Sequence, residues 1–164
     1  MDTSPRLSNL MLAMFVAADV LVLDIASKAW AVSRLTGNPL NVIDGFLRFA
    51  VTHNPGASFS SFQNSGPVIA IVGIGVTVFV VKTVDKVDHR REVVGLGFIL
   101  GGAMGNLVDR IFRGDGLLDG AVVDFIDFSF FPTFNLADTS LTIGVVLMLL
   151  SGLLARRSAK TSVS

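Results

Sequence analysis

Four long apolar segments limit what this chain of 164 residues can fold into. They cover about residues 10–32, 67–84, 93–108 and 139–155. A helix needs about 20 apolar residues to cross the hydrocarbon core of a bilayer, and each segment reaches this length alone or with flanking residues. The chain is also 51% hydrophobic and only 16% charged, which is more apolar than an ordinary soluble domain. We therefore predict an all-α polytopic membrane protein with four transmembrane helices, in which residues 1–164 form a single membrane domain.

Charge and cysteine content exclude several classes of function. The formal net charge is zero, so no nucleic-acid partner is expected. The sequence has no cysteine, and the chain therefore cannot form disulfides, thiolate metal sites or a cysteine nucleophile. It also lacks the HExxH motif of zinc proteases. We expect neither a metal site nor a cofactor.

The positions of the cations predict the orientation of the chain in the membrane. Arg6 precedes the first apolar segment, a basic cluster occupies residues 82–92, and three cations lie in residues 156–160. Lysine and arginine accumulate on the cytoplasmic side of membrane proteins. We therefore expect both termini in the cytoplasm, a hairpin loop over residues 82–92 on the same side, and residues 34–65 and 111–137 on the outer side.

The two outer segments carry different patterns. Residues 34–65 contain asparagine, proline and glycine turn signals around the run FLRFAVTH, which is rich in β-formers. This pattern predicts a small extracytoplasmic β-sheet on the membrane surface. Residues 111–137 contain the glycine-rich sequence RGDGLLDG at 113–120, which we interpret as a mobile flap without assigning a conformation to residues 111–121. The remainder of this outer loop is predicted to be an extended or re-entrant catalytic segment.

Residues 120–138, GAVVDFIDFSFFPTFNLAD, combine an apolar composition with three aspartates and no cation. A buried carboxylate without a partner raises its pKa, and two carboxylates that share a site hold one proton between them. Such a pair can activate water against a peptide carbonyl. Alternation along a strand gives Asp124 the better-buried face and turns Asp127 toward water. Asp138 stands where an N-cap of the fourth helix would lie, and capping is an alternative role for it.

Polar residues in the other segments are candidates for the same site. Asp24 and Lys28 are four residues apart in the first helix, and we favour a structural ion pair over a catalytic role. Asn106 and Arg110 share one face at the end of the third helix, where a local pair between Asp109 and Arg110 is the alternative. The predicted topology brings these candidates together at the outer interface: Asn54, Asn106, Arg110, Asp124 and Asp138.

The third segment also carries glycines at every fourth position, Gly97, Gly101 and Gly105. This spacing allows another helix to approach its backbone closely. Two alternative functions follow from these features. Intramembrane acids serve ion- or proton-coupled transporters, although here they cluster at one interface and do not form a path. A subunit without catalytic activity could use the glycine face to bind partners.

Several motifs, in this order, resemble those of the bacterial lipoprotein signal peptidase family, signal peptidase II. They are LDIASK from residue 23, NPGASF from 54, GGAMGNLVDR from 101, VVDF from 122 and FNLAD from 134. The resemblance covers nearly the whole chain. It implies an aspartyl endopeptidase of the bacterial cytoplasmic membrane that removes signal peptides from diacylglyceryl-modified prolipoproteins, cleaving before the lipidated cysteine. Its partners would be these lipid-modified substrates and the phospholipid bilayer; the oligomeric state stays open.

The resemblance also implies roles for individual residues. Asp124 and Asp138 would be the catalytic pair, with no assignment of which one holds the proton. The substrate-binding or supporting residues would be Asn54, Gly56, Asn106, Arg110, Asn135, Asp24 and Lys28. Two features depart from the family pattern: Ser58 stands where alanine is common, and the segment between Arg110 and Asp124 is longer.

Overall fold

The computed structural model describes residues 8–56 and 65–161, with side chains described up to residue 154. Within these residues, four helices are long and apolar enough to cross a membrane. They are α1 Asn9–Leu35, α2 Gly66–Thr83, α3 Arg90–Phe112 and α4 Leu136–Thr161. The predicted polytopic helical fold is confirmed. Every helix is longer than predicted except α2, which has nearly the predicted bounds.

Helix α3 packs between α1 and α4, and its glycines make the close packing possible. A β-carbon at Gly101 would lie 2.6 Å from the Cβ of Val20 in α1, and one at Gly97 would lie 2.8 Å from the Cβ of Val16. On the other side, a β-carbon at Gly144 of α4 would lie 2.6 Å from a backbone oxygen of α3. The predicted close helix approach is therefore confirmed. Because α1 already occupies the glycine face, this face is not free for a partner subunit.

The β-structure is a three-stranded antiparallel sheet with the order β1-β2-β3. Strand β1 spans Leu40–Ile43, β2 spans Leu47–Asn54 and β3 spans Val122–Phe128. The sheet was predicted within residues 34–65, but its third strand comes from the segment before α4. That segment is therefore extended and not re-entrant, because β2 supplies its backbone with a pairing partner.

Aromatic contacts fasten the sheet to the end of α1. The ring of Trp30 makes edge contacts with Phe49 of β2 and Phe125 of β3, at centroid distances of 6.2 and 6.3 Å. Phe125 also belongs to a small buried cluster with Ala31 and Leu35. These contacts hold β3 against the membrane helices, at the end of the bundle where α1 and α3 finish and α4 begins. We call this end the sheet end.

The opposite end of the bundle contains the segment predicted as a hairpin loop over residues 82–92. Most of it is helical, since α2 continues to Thr83, a 3₁₀ turn covers Val84–Lys86 and α3 begins at Arg90. The start of α1 stabilises this turn, because Asn9 donates to the Val87 carbonyl at 2.7 Å and Asp85 accepts from the Leu10 amide at 2.9 Å. The predicted loop is therefore largely helical, although most of its residues are exposed, as predicted. Arg6 and the side chains of residues 156–160 lie outside the described part of the chain.

Candidate active site

Asp124 lies in β3 with its side chain 2% exposed, and neutral amides bind both of its oxygens. The Nδ2 of Asn54 in β2 donates to Oδ2 at 3.0 Å, and the Nδ2 of Asn135 donates to Oδ1 at 2.7 Å. An amide donor stabilises a carboxylate without adding a full positive charge. Asp124 is thus the buried acid of β3, as the strand alternation predicted.

Asp138 lies in the first turn of α4 and is not its N-cap, so the alternative role considered for it was wrong. The helix begins at Leu136, because the Oδ1 of Asn135 accepts from the Asp138 amide at 2.9 Å. The Oδ2 of Asp138 in turn accepts from the Asn135 amide at 3.3 Å. This reciprocal arrangement is a capping box in which asparagine is the cap.

The side chain of Asn106 connects the two aspartates. Its Nδ2 donates to the Oδ1 of Asp138 at 2.8 Å, while its Oδ1 accepts from the Nδ2 of Asn135 at 3.1 Å. Asn135 also binds Asp124, so two amide side chains from different helix ends link one carboxylate to the other. Asn106, Asn135 and both aspartates therefore form one hydrogen-bonded network.

Lys28 lies beneath this network, 1% exposed. Its Nζ is 2.7 Å from the Oδ2 of Asp24 and 2.9 Å from the Oδ2 of Asp109, and it donates to the Oδ1 of Asn106 at 3.1 Å. Asp24 also accepts from the Ala137 amide at 2.9 Å. The predicted ion pair between Asp24 and Lys28 is present. It joins α1 to the start of α4, and a buried pair of this kind depends on such additional hydrogen bonds.

Arg110 is buried beside the site, but it does not pair with its neighbour. Asp109 forms ion pairs with Lys28 and Arg113, so the local pair between Asp109 and Arg110 considered above was wrong. Consecutive helical residues point in different directions, whereas residues four apart share a face. Arg110 donates to the Gly120 carbonyl at 3.3 Å, and its Nε has no hydrogen-bond partner within the described residues.

Gly56 orients the side chain of Asn54. Its backbone N–H donates to the Oδ1 of Asn54 at 2.9 Å, which leaves the Nδ2 directed toward Asp124. The φ of Gly56 is +114°, and a β-carbon there would lie 2.6 Å from the backbone nitrogen of Gly66. Only glycine meets both conditions easily. The rest of the NPGASF motif, including Ser58, lies outside the described residues.

Both aspartates open onto a cleft of about 610 Å³ with mainly apolar walls. Its lining consists of Asn54, Asp124, Phe131, Pro132, Thr133, Phe134, Asp138, Thr139, Thr142 and Ile143. Sequence reasoning missed residues 131–134, between β3 and α4, and the threonines of α4. The spacing of positions 138, 139, 142 and 143 on one helix face was the available signal.

The charge environment distinguishes Asp124 from Asp127, which lies three residues further along β3. The pKa of Asp124 is raised to about 6, mainly by burial and also by the nearby charge of Asp138, while the amides of Asn54 and Asn135 oppose this shift. Asp127 is 16% exposed and forms an ion pair with Arg48. A carboxyl group that titrates near neutral pH beside a second carboxylate can share one proton with it. Among the described residues, no group of three or more histidine or acidic side chains could hold a metal ion.

A helical membrane fold with two carboxylates at an apolar cleft fits the class of membrane aspartic peptidases. The family model for signal peptidase II matches residues 16–154. A lipoprotein signal peptidase from Mycobacterium avium is 42% identical over 148 residues, covering 90% of this chain and 80% of the relative. Another from Rhodococcus jostii is 36% identical over 139 residues, covering 84% and 70%.

A solved structure described as a bacterial membrane enzyme is 31% identical to this chain and covers 90% of both chains, with a TM-score of 0.75. Together with the family match, these similarities show that the chain belongs to the signal peptidase II family. It is a protease and a multi-pass bacterial membrane protein. The comparisons give no support to the alternative of an ion- or proton-coupled transporter.

Proposed function

We propose that Asp124 and Asp138 form the catalytic pair with which this protease removes signal peptides from diacylglyceryl-modified prolipoproteins. The observation that carries this proposal is the link between the two carboxylates through Asn106 and Asn135 at the apolar cleft. Neutral amides hold the pair, so proton transfer during the reaction would break no ion pair.

In the proposed reaction, the pair carries one proton and activates a water molecule, which attacks the scissile peptide bond. The ionised aspartate takes a proton from the water as the water oxygen adds to the carbonyl carbon. The protonated aspartate donates a hydrogen bond to the carbonyl oxygen, which stabilises the developing negative charge. Transfer of a proton to the leaving amine then breaks the carbon–nitrogen bond and restores the singly protonated pair.

The cleft suits a substrate that is apolar near the cleaved bond. Phe131, Phe134 and Ile143 supply apolar walls beside Asp138, and an apolar signal peptide would lie among the helices while its lipid chains stay in the bilayer. We assign to Asn106 and Arg110 the positioning of the substrate or its lipid headgroup, because both line a second groove, between α2 and α3. Cleavage would occur before the lipidated cysteine, and the sheet would hold the peptide from the outer side.

We propose an orientation with both termini in the cytoplasm and the sheet end outside. Lys82, Lys86, Arg90 and Arg91 support it, because they lie at the opposite end of the bundle, where the positive-inside rule expects cations. Single cysteines at Thr36 and Gly116 should react with an impermeant thiol reagent in intact cells, whereas one at Asp88 should react only after lysis. Labelling of Asp88→Cys in sealed cells would contradict this orientation and indicate the opposite one.

The chemistry can be tested with protein purified in detergent and a synthetic precursor peptide that carries a diacylglyceryl cysteine. Wild type should release the signal peptide immediately before this cysteine, as measured by mass spectrometry. The same peptide without lipid should be a much poorer substrate, and Asp138→Asn should be inactive while remaining folded. Equal cleavage of both peptides would contradict the proposed substrate, and an active Asp138→Asn would contradict the proposed pair.

A further inference from the structure

We propose that Arg113 is a positioning residue for the catalytic strand β3 and acts on it through Asp109. Arg113 directly follows α3, at the start of the long loop, and it is not among the cleft-lining residues. The inference depends on the proposed role of Asp124, which lies in the strand that Asp109 holds.

The two oxygens of Asp109 have different partners. Oδ1 accepts from the Nε of Arg113 at 2.5 Å. Oδ2 lies 2.9 Å from the Nζ of Lys28 and accepts from the backbone amide of Val123 at 3.2 Å. One carboxylate thus connects the end of α3, the middle of α1 and the residue immediately before Asp124.

The bond to Val123 matters because it lies one residue from the proposed catalytic acid. Val123 is fully buried, and a buried N–H that loses its acceptor costs about 1–3 kcal/mol. If Asp109 turned away, the start of β3 would shift to find another acceptor. Such a shift would strain the amide contacts of Asp124 and move its carboxylate relative to Asp138, which lies in α4.

The charges explain why Asp109 needs Arg113 in order to stay in place. Lys28 contacts two carboxylates, Asp24 and Asp109, and the three side chains are at most 5% exposed. One ammonium cannot neutralise both acids, and a buried uncompensated charge is strongly destabilising. Arg110 lies near enough for its charge to act on Asp109. Arg113, with its side chain 35% exposed, is the second cation in direct contact with this carboxylate, at the rim of the cluster. Without it, Asp109 would rotate toward water, which would weaken its bond to Val123.

This role predicts a specific kinetic effect. Because Arg113 is not part of the cleft lining, its loss should alter the geometry of the reacting groups more than the binding of substrate. Arg113→Gln should therefore lower kcat at least about tenfold while KM changes less than about twofold, since small displacements of catalytic groups reduce rates strongly. Arg113→Lys keeps the positive charge and should recover most of the lost kcat.

Arg48→Gln is a matched control, because Arg48 forms an ion pair of the same type with Asp127 but is 57% exposed. This variant should keep near-normal kcat. A kcat of Arg113→Gln equal to that of wild type would overturn the proposal, as would a loss of kcat in Arg113→Gln that Arg113→Lys does not recover. A fall in the amount of folded protein with unchanged kcat per folded molecule would also overturn it, in favour of a purely structural role.

A double-mutant cycle keeps the proposal testable if Arg113→Gln folds poorly. Asp109→Asn removes the charge that needs neutralising but keeps a carbonyl oxygen for Val123, so adding Arg113→Gln to it should lower kcat less than about twofold. Independent, multiplying losses would contradict action through Asp109. Asp124→Asn in the same assay separates the two proposals: if it is active, the catalytic assignment fails, and if it is inactive while Arg113→Gln is normal, only the role of Arg113 fails.

Discussion

The two ends of β3 place the same type of side chain in opposite environments. At the buried end, Asp124 contacts the amides of Asn54 and Asn135, and its pKa is raised to about 6. At the exposed end, Asp127 faces Arg48 across the sheet. Burial is the main cause of the raised pKa of Asp124, and its neutral amide partners oppose this shift without adding a positive charge that would cancel it. The comparison indicates that burial beside neutral amides suits Asp124 for exchanging a proton during a reaction.

Replacing each aspartate with asparagine is the most direct test of the difference between Asp124 and Asp127. Asp124→Asn should lower kcat by about 10²–10⁴-fold, because the side chain can no longer transfer a proton. Asp127→Asn removes only a partly exposed ion pair and should keep activity within about threefold, with a loss of stability of about 0–1 kcal/mol. Cleavage of a lipidated precursor peptide measures both effects. An inactive Asp127→Asn with an active Asp124→Asn would reverse the assignment.

Changes at Asn135 should sharpen the comparison, because this residue both caps α4 and binds Asp124. Asn135→Ala should lose the cap, at a cost of about 0.5–2 kcal/mol, together with most activity. Asn135→Ser is the matched control, since serine is a good cap but is too short to supply an amide to Asp124. Thermal unfolding should show recovery of stability in the serine variant, while peptide cleavage stays low. Full activity in Asn135→Ser would show that the amide is not needed.

Removing the other amide tests the charge balance at the buried end. The hydrogen bond from Asn54 lowers the pKa of Asp124, so Asn54→Ala should raise it above the wild-type value of about 6. The folded-state pKa lies above that of an unfolded aspartate, so the stability that comes from protonating Asp124 is lost as pH rises through the folded value. Because the pKa of Asp124 is higher in Asn54→Ala, the singly protonated pair should persist to higher pH in this variant.

The measurement is the pH dependence of kcat/KM, which reports ionisations of the free enzyme. The basic limb of this profile should move to higher pH in Asn54→Ala. The same profile for Asp127→Asn should match that of wild type, because Asp127 lies at the exposed end of β3. A basic limb that moves to lower pH would contradict the proposed effect of the amide on Asp124.

The smallest effect is expected from shortening the loop that leads into the buried end of β3. The backbones of Gly114 and Gly120 already touch, since a β-carbon at Gly114 would lie 2.6 Å from the Gly120 nitrogen. Deleting residues 115–119 therefore joins parts that are neighbours, and loop closure changes stability by only about 0.6 kcal/mol per halving of length. We expect correct insertion and a loss of activity of a few-fold. Inactivation as complete as that of Asp124→Asn would show that the loop helps to build the site.

Several features were predictable because they depend on regular spacing within one element. The pair of Asp24 and Lys28 follows from four-residue spacing on a helix, and the difference between Asp124 and Asp127 follows from alternation along a strand. The glycine spacing in α3 likewise predicted the close approach of another helix, which is α1. In each case, the geometry of one element was sufficient.

Features that join distant parts of the chain were not predictable in the same way. Asn135 caps α4 in place of Asp138 because it also reaches Asp124 and Asn106. Asp109 bonds to Val123 and Arg113, whereas the sequence offered only its neighbour Arg110 as an alternative partner. Several polar residues near each position in the sequence could serve as its partner. Only the packing of α1, α3, α4 and β3 determines which of them comes within hydrogen-bond distance.

The sequence by itself determined four membrane-spanning helices, a sheet at one end and the acids that could act there, because apolar length and periodicity are local properties. The tertiary structure decided which amides and cations contact each carboxylate. These contacts form only when the ends of three helices and one strand come within hydrogen-bond distance of each other. A change of about 1 Å in a donor–acceptor distance is enough to exchange one partner for another. The environment of Asp124 therefore belongs to the assembled bundle, while its presence in an apolar strand is visible in the sequence.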